Sequence, residues 1–597
     1  RNNVLLLTVT IIATLIIVTH AVDTTVNDDN LKQCKESNGS CEYSSTTTTS
    51  PRKVDRTNVP PCFLYLAEST IEGGGLGIFS AINIPRGVPV APSDVVIQLH
   101  DLFPQKPRAT NISLFITHYA YDGQETGGQY EGRLVYSASP GVGMLSNGHP
   151  ALYNVLPHVP EVDEADLPRT TSPGAGAITH YHNYSYYAQR PIEAGGEVLL
   201  NHGENWFRER EAKGVIRPGT LEAAKKELDE MKSKGETNSK KHLRPVEWLV
   251  ENGLCLDNLR EGRSKIPNAG RGAFAARSML KGSVVAPAPV LQIAHKDVLQ
   301  TEKVKVMQRS SGGKEMVVKG RQLLLNYCFG HPKSSLLFYP YSPGVNLINH
   351  SPTNPNVALR WSTSNQHRGK DWVDNWSYDD IEQSQETGLM MEFVALRDIH
   401  RGEEITLDYG HEWETAWNDH VRGWYPVAGA EQYTPSYVMD DVVTLLRTEE
   451  EQRSHPYPDN IITSCFYRYS EGKEEAQNIG GSNQNPSKRE TAVVPWKMTR
   501  GLFELNNLRP CQVIRREKGV EKDEKQVYYT AVIRNRYGLN RAERIPKGET
   551  HIVTRIPRMA FRFTDKIYTT DQHLENAFRH FIGIPDDIFP EGWMDLA

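Results

Sequence analysis

Residues 344–351 read GVNLINHS and residues 402–410 read GEEITLDYG, with Asn354-Pro355-Asn356 between them. Upstream of both, Gly270-Arg271-Gly272 supplies a Gly-x-Gly turn. Any tight turn can contain Gly-x-Gly, so that element alone is weak evidence of a binding site. The order of the three segments within about 140 residues is the informative feature, and it sets the interpretation of the rest of the chain.

A second copy of this pattern lies upstream. Gly75 and Gly77 match Gly270 and Gly272 at an offset of 195, and residues 139–142 match residues 342–345. From Ala188/Ala395 to Trp206/Trp413 the matches continue at an offset of 207. Three collinear blocks predict two copies of one domain.

The local pattern predicts a mainly β protein with added helices, an α+β fold. Short apolar runs at 283–293 and 392–396 are punctuated by Gly and Pro, which is typical of strands. Helices are predicted at 221–234, capped by Thr220, and at 440–453. Towards the C-terminus, residues 511–516 and 526–534 are predicted to pair as strands, and 572–580 to form a short helix.

The three segments, taken together, resemble the SET domain of protein-lysine methyltransferases. The resemblance implies two SET-type β-rich domains in tandem plus a C-terminal α+β region. It implies that S-adenosylmethionine is the cofactor and that a protein with an acceptor lysine is the partner. The implied cofactor-binding residues are Gly270, Arg271, Gly272, Asn349, His350 and Tyr409, and Tyr409 is also the implied catalytic residue.

These residue types suit methyl transfer to an amine. A lysine is unreactive while protonated, and a narrow apolar channel lowers its pKa by desolvation. A tyrosine hydroxyl such as that of Tyr409 can orient the neutral amine. Tyr327, Tyr339 and Tyr341 are candidates for lining the channel, although for each of them a place in the core is the preferred interpretation.

The chain departs from the family pattern in two respects. Pro352 stands where the family has a cysteine, and no cysteine-rich segment follows Tyr409 to close the lysine channel. We therefore expect residues 413–424 or the C-terminal region to close it. No cysteine or histidine spacing typical of zinc sites is present, and no metal is expected.

The first copy departs further. Residues 146–148 read SNG where residues 349–351 read NHS, and His202 stands where the second copy has Tyr409. We expect this copy to bind no cofactor and to serve as a structural or substrate-contacting partner.

The N-terminal residues indicate a secretory address. Residues 4–18 are an apolar and Thr-rich run, shorter than the roughly 20 residues of a typical membrane span. Residues 1–22 are therefore a signal peptide or a signal anchor, and the protein is lumenal or secreted, or anchored by a single span. Membrane attachment is expected only if the run at 4–18 is uncleaved. A Ser/Thr-rich stalk follows at 23–61, with a sequon at Asn38 and a candidate disulfide between Cys34 and Cys41.

The predicted organisation continues with a degenerate SET-like copy at 62–210 and a helical linker at 211–249. The SET domain follows at 250–424, then a helical connector at 425–455 and a C-terminal region of unassigned function at 456–597. A net charge of −6 gives no strong nucleic-acid signal. The main alternative to a methyltransferase is a non-catalytic SET-fold interaction or scaffold protein of the secretory pathway, and a third reading is an anchored glycoprotein.

Overall fold

The computed structural model describes the chain from Cys62 to Leu596, except for positions 101, 103–114, 116–117, 123–134, 159–166, 180–183, 237, 308–313, 365–368, 469–490, 504–506, 520–525, 534–549 and 567–568. The predicted signal segment, the stalk, Asn38 and the Cys34–Cys41 pair lie outside the described residues. Below, residues 62–210 are called the first half and residues 250–424 the second half. No helix of the described part has the length and apolar character needed to span a bilayer.

The first half is built from short strands. They are Leu64–Glu68, Leu76–Ser80, Ile97–His100, Tyr121–Asp122, Val135–Ala138, Asn147–Gly148, Val155–His158, Ser185–Ala188 and Leu199–Leu200. Leu64–Glu68 pairs antiparallel with Leu76–Ser80, and on its other side with Leu254–Cys255 of the second half. A strand of each half therefore lies in one sheet.

The second half contains Leu254–Cys255, Leu259–Arg263, Arg271–Ala275, Val284–Ile293, Gln300–Met307, Lys314–Arg321, Phe329–Gly330, Leu337–Pro340, Asn349–His350, Val357–Trp361, Met390–Ala395 and Thr406–Leu407. Seven of these and the C-terminal strand Ile582–Gly583 form an eight-stranded sheet. The runs predicted as strands at 283–293 and 392–396 both lie in that sheet. The β-rich α+β class is confirmed.

The α-helices are short, with 14 residues in the longest. They are Val142–Leu145, Glu204–Ala212, Thr220–Ser233, Val246–Asn252, Lys370–Asn375, Tyr378–Gln383, His411–Gly423, Ser436–Val442 and Glu449–Ser454. The helix predicted at 221–234 is present, but Thr220 does not cap it. Gly219 occupies the cap position in the left-handed conformation, and the Thr220 hydroxyl donates to the Arg217 carbonyl instead.

The single helix predicted at 440–453 is wrong, because two helices occupy this stretch. Thr448 begins the second helix with a capping box, in which its side chain accepts from the backbone N–H of Glu451 and the Glu451 carboxylate accepts from the backbone N–H of Thr448. At the end of the first helix, the Val443 carbonyl accepts from the Arg558 guanidinium.

Residues beyond 455 divide between two cores. Strands Ile461–Phe466, Thr491–Pro495, Leu508–Lys518, Val527–Ile533, Thr550–Pro557 and Phe561–Asp565 form a six-stranded sheet with a core of its own. The predicted pairing of 511–516 with 526–534 is confirmed by the antiparallel register of Leu508–Lys518 with Val527–Ile533. The final segment instead packs into the core shared by both halves, where Trp593 is fully buried.

The short helix predicted at 572–580 is wrong. Only Asp571–His573 forms a 3-10 turn, and the following residues are irregular. Their carbonyls bond to side chains rather than along a helix: Phe578 accepts from Asn326, and Gln572 accepts from Arg579. These tertiary contacts therefore override the preference of residues 572–580 for a helix.

The two halves have corresponding strand pairs. Asn147–Gly148 runs parallel to Leu199–Leu200, as Asn349–His350 runs parallel to Thr406–Leu407. Bridges join Phe79 to Glu197 in the first half and Phe274 to Glu404 in the second. One continuous core of buried residues contains both halves.

The halves also exchange contacts at their loops. The backbone N–H of Thr179, in the first half, donates to the Tyr327 hydroxyl of the second half at 3.2 Å. In the reverse sense, Tyr119 of the first half shares a 2.7 Å hydrogen bond with Thr387 of the second. Each half therefore extends a loop to a tyrosine of the other.

Two disulfides lie within the described residues. Cys62–Cys255 joins the first strands of the two halves, and Cys465–Cys511 crosses the C-terminal sheet. Cys328 is a buried free thiol.

Candidate active site in the second half

A parallel pair of two-residue strands brings the distant motif residues together. Asn349 pairs with Thr406 and His350 with Leu407, and Leu407 pairs on its other side with Val357. The backbone N–H of Ser351 continues the pairing by donating to the Leu407 carbonyl at 2.9 Å. Tyr409 follows two residues later. It contacts His350 directly, although the two residues are 59 positions apart in the sequence.

Glu404 holds the Gly-x-Gly loop against this strand pair. Its carboxylate accepts from the Ser264 hydroxyl at 2.6 Å and from the backbone N–H of Lys265 at 2.9 Å. The Asn349 amide donates to the same carboxylate at 3.3 Å and to the Arg271 carbonyl at 2.8 Å. The loop and the NHS segment are thus fixed by one nine-tenths buried carboxylate.

The two glycines of the loop are required for different reasons. Gly270 has a φ of 67°, a conformation that side chains disfavour. At Gly272 the backbone is extended, but an added Cβ would lie 2.5 Å from a Glu404 carboxylate oxygen. The Glu404 carboxylate can therefore come this close only if position 272 is a glycine.

His350 presents a donor without a protein partner. Its Nδ1 accepts the backbone N–H of Tyr409 at 2.9 Å, and its pKa is lowered by burial, so the ring is neutral and carries its proton on Nε2. That Nε2 is buried without a hydrogen-bond partner. A buried N–H without a partner, beside the rings of Tyr409 and Trp413, fits a bound ligand that offers an acceptor, as the sulfonium nucleoside implied by the sequence does.

Tyr409 is kept as a neutral phenol. Burial raises the pKa of its hydroxyl, which donates to the Ile348 carbonyl. Its ring lies 5.2 Å from the His350 ring, measured between centroids. Because the proton is directed at Ile348, the phenol oxygen retains lone pairs that can accept from an amine.

The Arg271 side chain turns away from the loop. Its guanidinium is buried and donates to the Thr179 carbonyl at 2.5 Å. Arg271, one of the predicted cofactor-binding residues, therefore has only its backbone available to a cofactor. Its side chain joins the Gly-x-Gly loop to the first half.

An aromatic cluster closes one side of the site. Trp413 and Trp417 of the helix His411–Gly423 pack against Phe578 of the C-terminal segment, with ring centroids 5.4 and 5.1 Å apart. Trp413 also lies 4.9 Å from His350 and 4.8 Å from Tyr409. Both segments that the sequence offered for closing the lysine channel, 413–424 and the C-terminal region, have residues in this cluster.

The three candidate channel tyrosines are all buried. Tyr327 receives the Thr179 N–H, and Tyr339 has a buried hydroxyl without a hydrogen-bond partner. Tyr341 packs against Tyr119 of the first half, 5.3 Å between ring centroids. Their preferred interpretation as core residues agrees with this burial.

The sequence alignment of the first half is wrong by one residue at the NHS segment. Asn147, not Ser146, makes the contacts that Asn349 makes: its amide donates to the Leu76 carbonyl at 2.9 Å and to Glu197 at 3.4 Å. The strand pairing agrees, because Asn147 pairs with Leu199 as Asn349 pairs with Thr406. His350 then corresponds to Gly148, and an alignment by offset alone missed the single-residue shift.

Glu404 and Ser264 were missed by sequence reasoning as site residues. The signal was present, because Ser69 and Ser264 share the offset of 195 that relates the glycine loops. In the first half, the Ser69 hydroxyl donates to Glu197 at 2.5 Å and the backbone N–H of Thr70 at 2.8 Å. Extending the repeat upstream would have found this carboxylate clamp.

Two clusters of metal-ligating side chains converge within the described residues. Cys62 and Cys255, beside Asp257, form a disulfide and are not thiolates. In the second cluster, His149 lies near Glu227 and His242, but its Nδ1 accepts the backbone N–H of Leu152 at 2.8 Å. Its Nε2 therefore carries the proton and has no lone pair for a metal.

Comparison with known proteins identifies part of the chain. The family described as the SET domain matches residues 270–410, and no curated protein matches. A solved structure of a proposed histone methyltransferase from Plasmodium falciparum is 18% identical, covering 26% of this chain and 96% of that chain, with a TM-score of 0.16.

The polycomb repressive complex 2 of Chaetomium thermophilum is 19% identical over 26% of this chain and 15% of that chain (TM-score 0.16). A polycomb repressive complex 2 bound to S-adenosylmethionine is 18% identical over 28% and 17% (TM-score 0.18). The chain thus spans less than a fifth of these polycomb chains, and TM-scores this low carry no argument. The family match, by contrast, covers the Gly-x-Gly loop, the NHS segment and the segment ending at Gly410: residues 270–410 of this chain are a SET domain.

Proposed function

We propose that the second half is an S-adenosylmethionine-dependent protein-lysine N-methyltransferase. The observation that carries the proposal is the Nε2–H of His350, which has no protein partner, beside the Tyr409 ring. A donor for a ligand and a neutral hydroxyl then lie at the end of the strand pair that also fixes the Gly-x-Gly loop through Asn349.

S-adenosylmethionine supplies the methyl group when bound. The chain's residues would hold it: His350 would donate from Nε2, while Asn349 fixes the Arg271 carbonyl and Glu404 fixes the loop. Trp413 and Phe578 exclude water from this side, which strengthens the electrostatic contacts.

Tyr409 orients the acceptor lysine. Its phenol oxygen accepts from the neutral amine while its own O–H goes on donating to the Ile348 carbonyl. Burial among aromatic rings lowers the pKa of an entering lysine, so the amine arrives deprotonated. Alignment of amine and methyl group then provides most of the acceleration.

The first half is proposed to be a second SET-type copy that does not transfer methyl groups. The matching strand pairs and carboxylate clamps support the duplication. Gly148 and His202 stand in place of His350 and Tyr409, so the transferring pair is missing.

The compartment is proposed to be the secretory pathway, with a protein lysine as substrate. The apolar run at 4–18 supports this. So do the two disulfides within the described part, because disulfides persist mainly in oxidising compartments.

One observation favours the scaffold alternative. The Pro173 carbonyl accepts from His420 at 2.8 Å, and Gly174 lies so close to Asn268 that an added Cβ would be 2.7 Å from the Asn268 carbonyl. A first-half loop therefore bridges the groove between the glycine loop and the helix His411–Gly423. A permanently bridged groove would exclude a cofactor.

Calorimetric titration of the full chain with S-adenosylmethionine separates the two functions. The methyltransferase proposal requires binding that weakens in Asn349→Ala, which frees the Arg271 carbonyl and loosens the loop. Asn356→Ala is an unsuitable control because Asn356 is buried in the strand pair. Asn252→Ala, on an exposed helix end, is the matched control and should bind as the wild type does. Absence of any binding would support the scaffold.

A further inference from the structure

The described part of the first half opens on a cavity of about 1680 Å³. Its walls are the glycine loop at 70–76, the segment 143–150, the helix Glu204–Ala212 and residues 385–390 of the second half. The cavity therefore occupies the position beside the glycine loop that in the second half is bridged by Pro173, Gly174 and Phe578.

The cavity borders a glycine loop clamped by a buried carboxylate, as the proposed cofactor site does. We call this arrangement of loop and carboxylate the cradle. Glu197 clamps Ser69 and Thr70 as Glu404 clamps Ser264 and Lys265. An added Cβ at Gly77 would meet the carboxylate at 2.3 Å, compared with 2.5 Å at Gly272. With Asn147 in the place of Asn349, the first half presents the same backbone surface as the second.

The two halves differ in the side chains that lie next to the cradle. At Gly148 an added Cβ would lie 2.0 Å from the His202 ring, so the histidine fills the space of the missing side chain. Burial lowers the pKa of His202 to about 4, and its ring packs 4.8 Å from Trp206. A neutral imidazole replaces the phenol, and the hydroxyl that would orient an amine is absent from this position.

One polar atom of the cavity wall has no hydrogen-bond partner. The Ser146 hydroxyl is buried, with 6% of the residue exposed. The His242 Nε2 is buried as well, but it lies 3.6 Å from a Glu227 carboxylate oxygen. A buried unsatisfied group such as the Ser146 hydroxyl is rare without a ligand or water to bond with.

We infer that the first half is a second binding site for sulfonium and thioether nucleosides, the class to which S-adenosylmethionine and its demethylated product belong, and that it holds them without transferring a methyl group. The ligand class rests on the proposed function of the second half. The existence of the site rests on the cavity, the shared cradle and the unpartnered Ser146 hydroxyl. This replaces the expectation from sequence that the first copy binds no cofactor, which rested on Ser146, Asn147 and His202 standing in place of the contacting residues.

The test is calorimetric titration of the full chain with S-adenosylhomocysteine, which binds without turnover. The wild type should bind two equivalents. Leu76→Trp, which places a large ring over the first cradle, should remove one of them, and Asn349→Ala should weaken the other. Ser146→Ala deletes only an unpartnered hydroxyl, so its fold is preserved, and it should weaken one site by about threefold to tenfold.

The outcomes distinguish this inference from the proposed function. One equivalent that is lost in Asn349→Ala and unaffected in Leu76→Trp and Ser146→Ala overturns the second site and leaves the methyltransferase standing. Suppose instead that one equivalent binds, that Leu76→Trp abolishes it, that Ser146→Ala weakens it and that Asn349→Ala does not change it. This result supports the second site and contradicts the proposed methyltransferase. No binding in the wild type overturns both.

Discussion

Tyr409 and His350 divide the work of the proposed site between a hydroxyl and a ring N–H. The hydroxyl bonds to Ile348, and the N–H has no protein partner. The first is therefore available at the reacting centre and the second for holding a ligand. Substitutions at the two positions should affect different measured quantities.

Tyr409→Phe removes the hydroxyl and keeps the ring that packs against His350 and Trp413. We expect methyl transfer to fall by on the order of 100-fold, because the amine loses its orienting group. Cofactor affinity should change far less, since the loss is confined to the reacting centre. Tyr187→Phe, an exposed tyrosine of the first half, is the control. Equal transfer of labelled methyl by Tyr409→Phe and wild type would contradict this mechanism.

His202 makes the fold sensitive to acid. An unfolded histidine titrates near 6.5 and His202 at about 4, so between these pH values the unfolded chain binds more protons. Stability is therefore full above about pH 6.5 and declines as the pH falls towards 4. His202→Phe keeps an aromatic ring beside Trp206 and should flatten the dependence of the thermal midpoint on pH over this window. An unchanged slope would show that His202 is already protonated in the folded state.

Among the elements, strands were predicted better than helices. The runs at 283–293 and 511–516 carry β-branched residues with turn signals around them, and both are strands. The helix at 440–453 contains a Thr-x-x-Glu box that was visible in the sequence and should have divided it. The irregular segment at 572–580 could not be predicted, because Asn326, whose amide donates to the Phe578 carbonyl, is 252 residues away in the sequence.

The C-terminal segment is an integral part of the SET core rather than an appendage. Trp593 is fully buried, with its ring 5.3 Å from both Phe338 and Trp361. Its indole N–H donates to the Trp376 carbonyl at 3.1 Å.

Trp593→Ala should lower the free energy of unfolding by about 3–5 kcal/mol through the cavity it creates. Trp593→Phe, which refills most of that volume, should cost much less. Chemical denaturation followed by tryptophan fluorescence measures both. A loss below about 1 kcal/mol for Trp593→Ala would mean that the segment detaches without consequence.

Over the whole molecule, the sequence predicted the SET domain and its motif residues but not how the halves meet. The motif residues Asn349, His350 and Tyr409 converge because a strand pair joins them, which the family resemblance implied. The contact of Thr179 with Tyr327 and that of Tyr119 with Thr387 join residues with no local signal. Such contacts are set by the three-dimensional arrangement of loops, which pattern and spacing do not report.

The Cys62–Cys255 disulfide links the halves across a sequence separation of 193 residues. Replacing both cysteines by serine should lower stability by about 2–5 kcal/mol, because the unfolded chain regains the freedom that the cross-link removes. The Cys465→Ser/Cys511→Ser pair, with a separation of 46, is the comparison and should affect the C-terminal sheet. Thermal unfolding with and without reductant measures both. Identical midpoints for wild type and Cys62→Ser/Cys255→Ser would show that the bond is absent in solution.

The loop contacts between the two halves have a consequence for how the first half could lose its transferring residues during evolution. In a symmetric dimer, each subunit contributes a surface to the other, and within this one chain the Thr179–Tyr327 and Tyr119–Thr387 contacts likewise run in both directions between the halves. On the proposed duplication, two ancestral subunits became covalently joined. Selection could then relax on the transferring residues of one copy while still preserving its loop, because the surviving site needs the neighbour's backbone and not its chemistry.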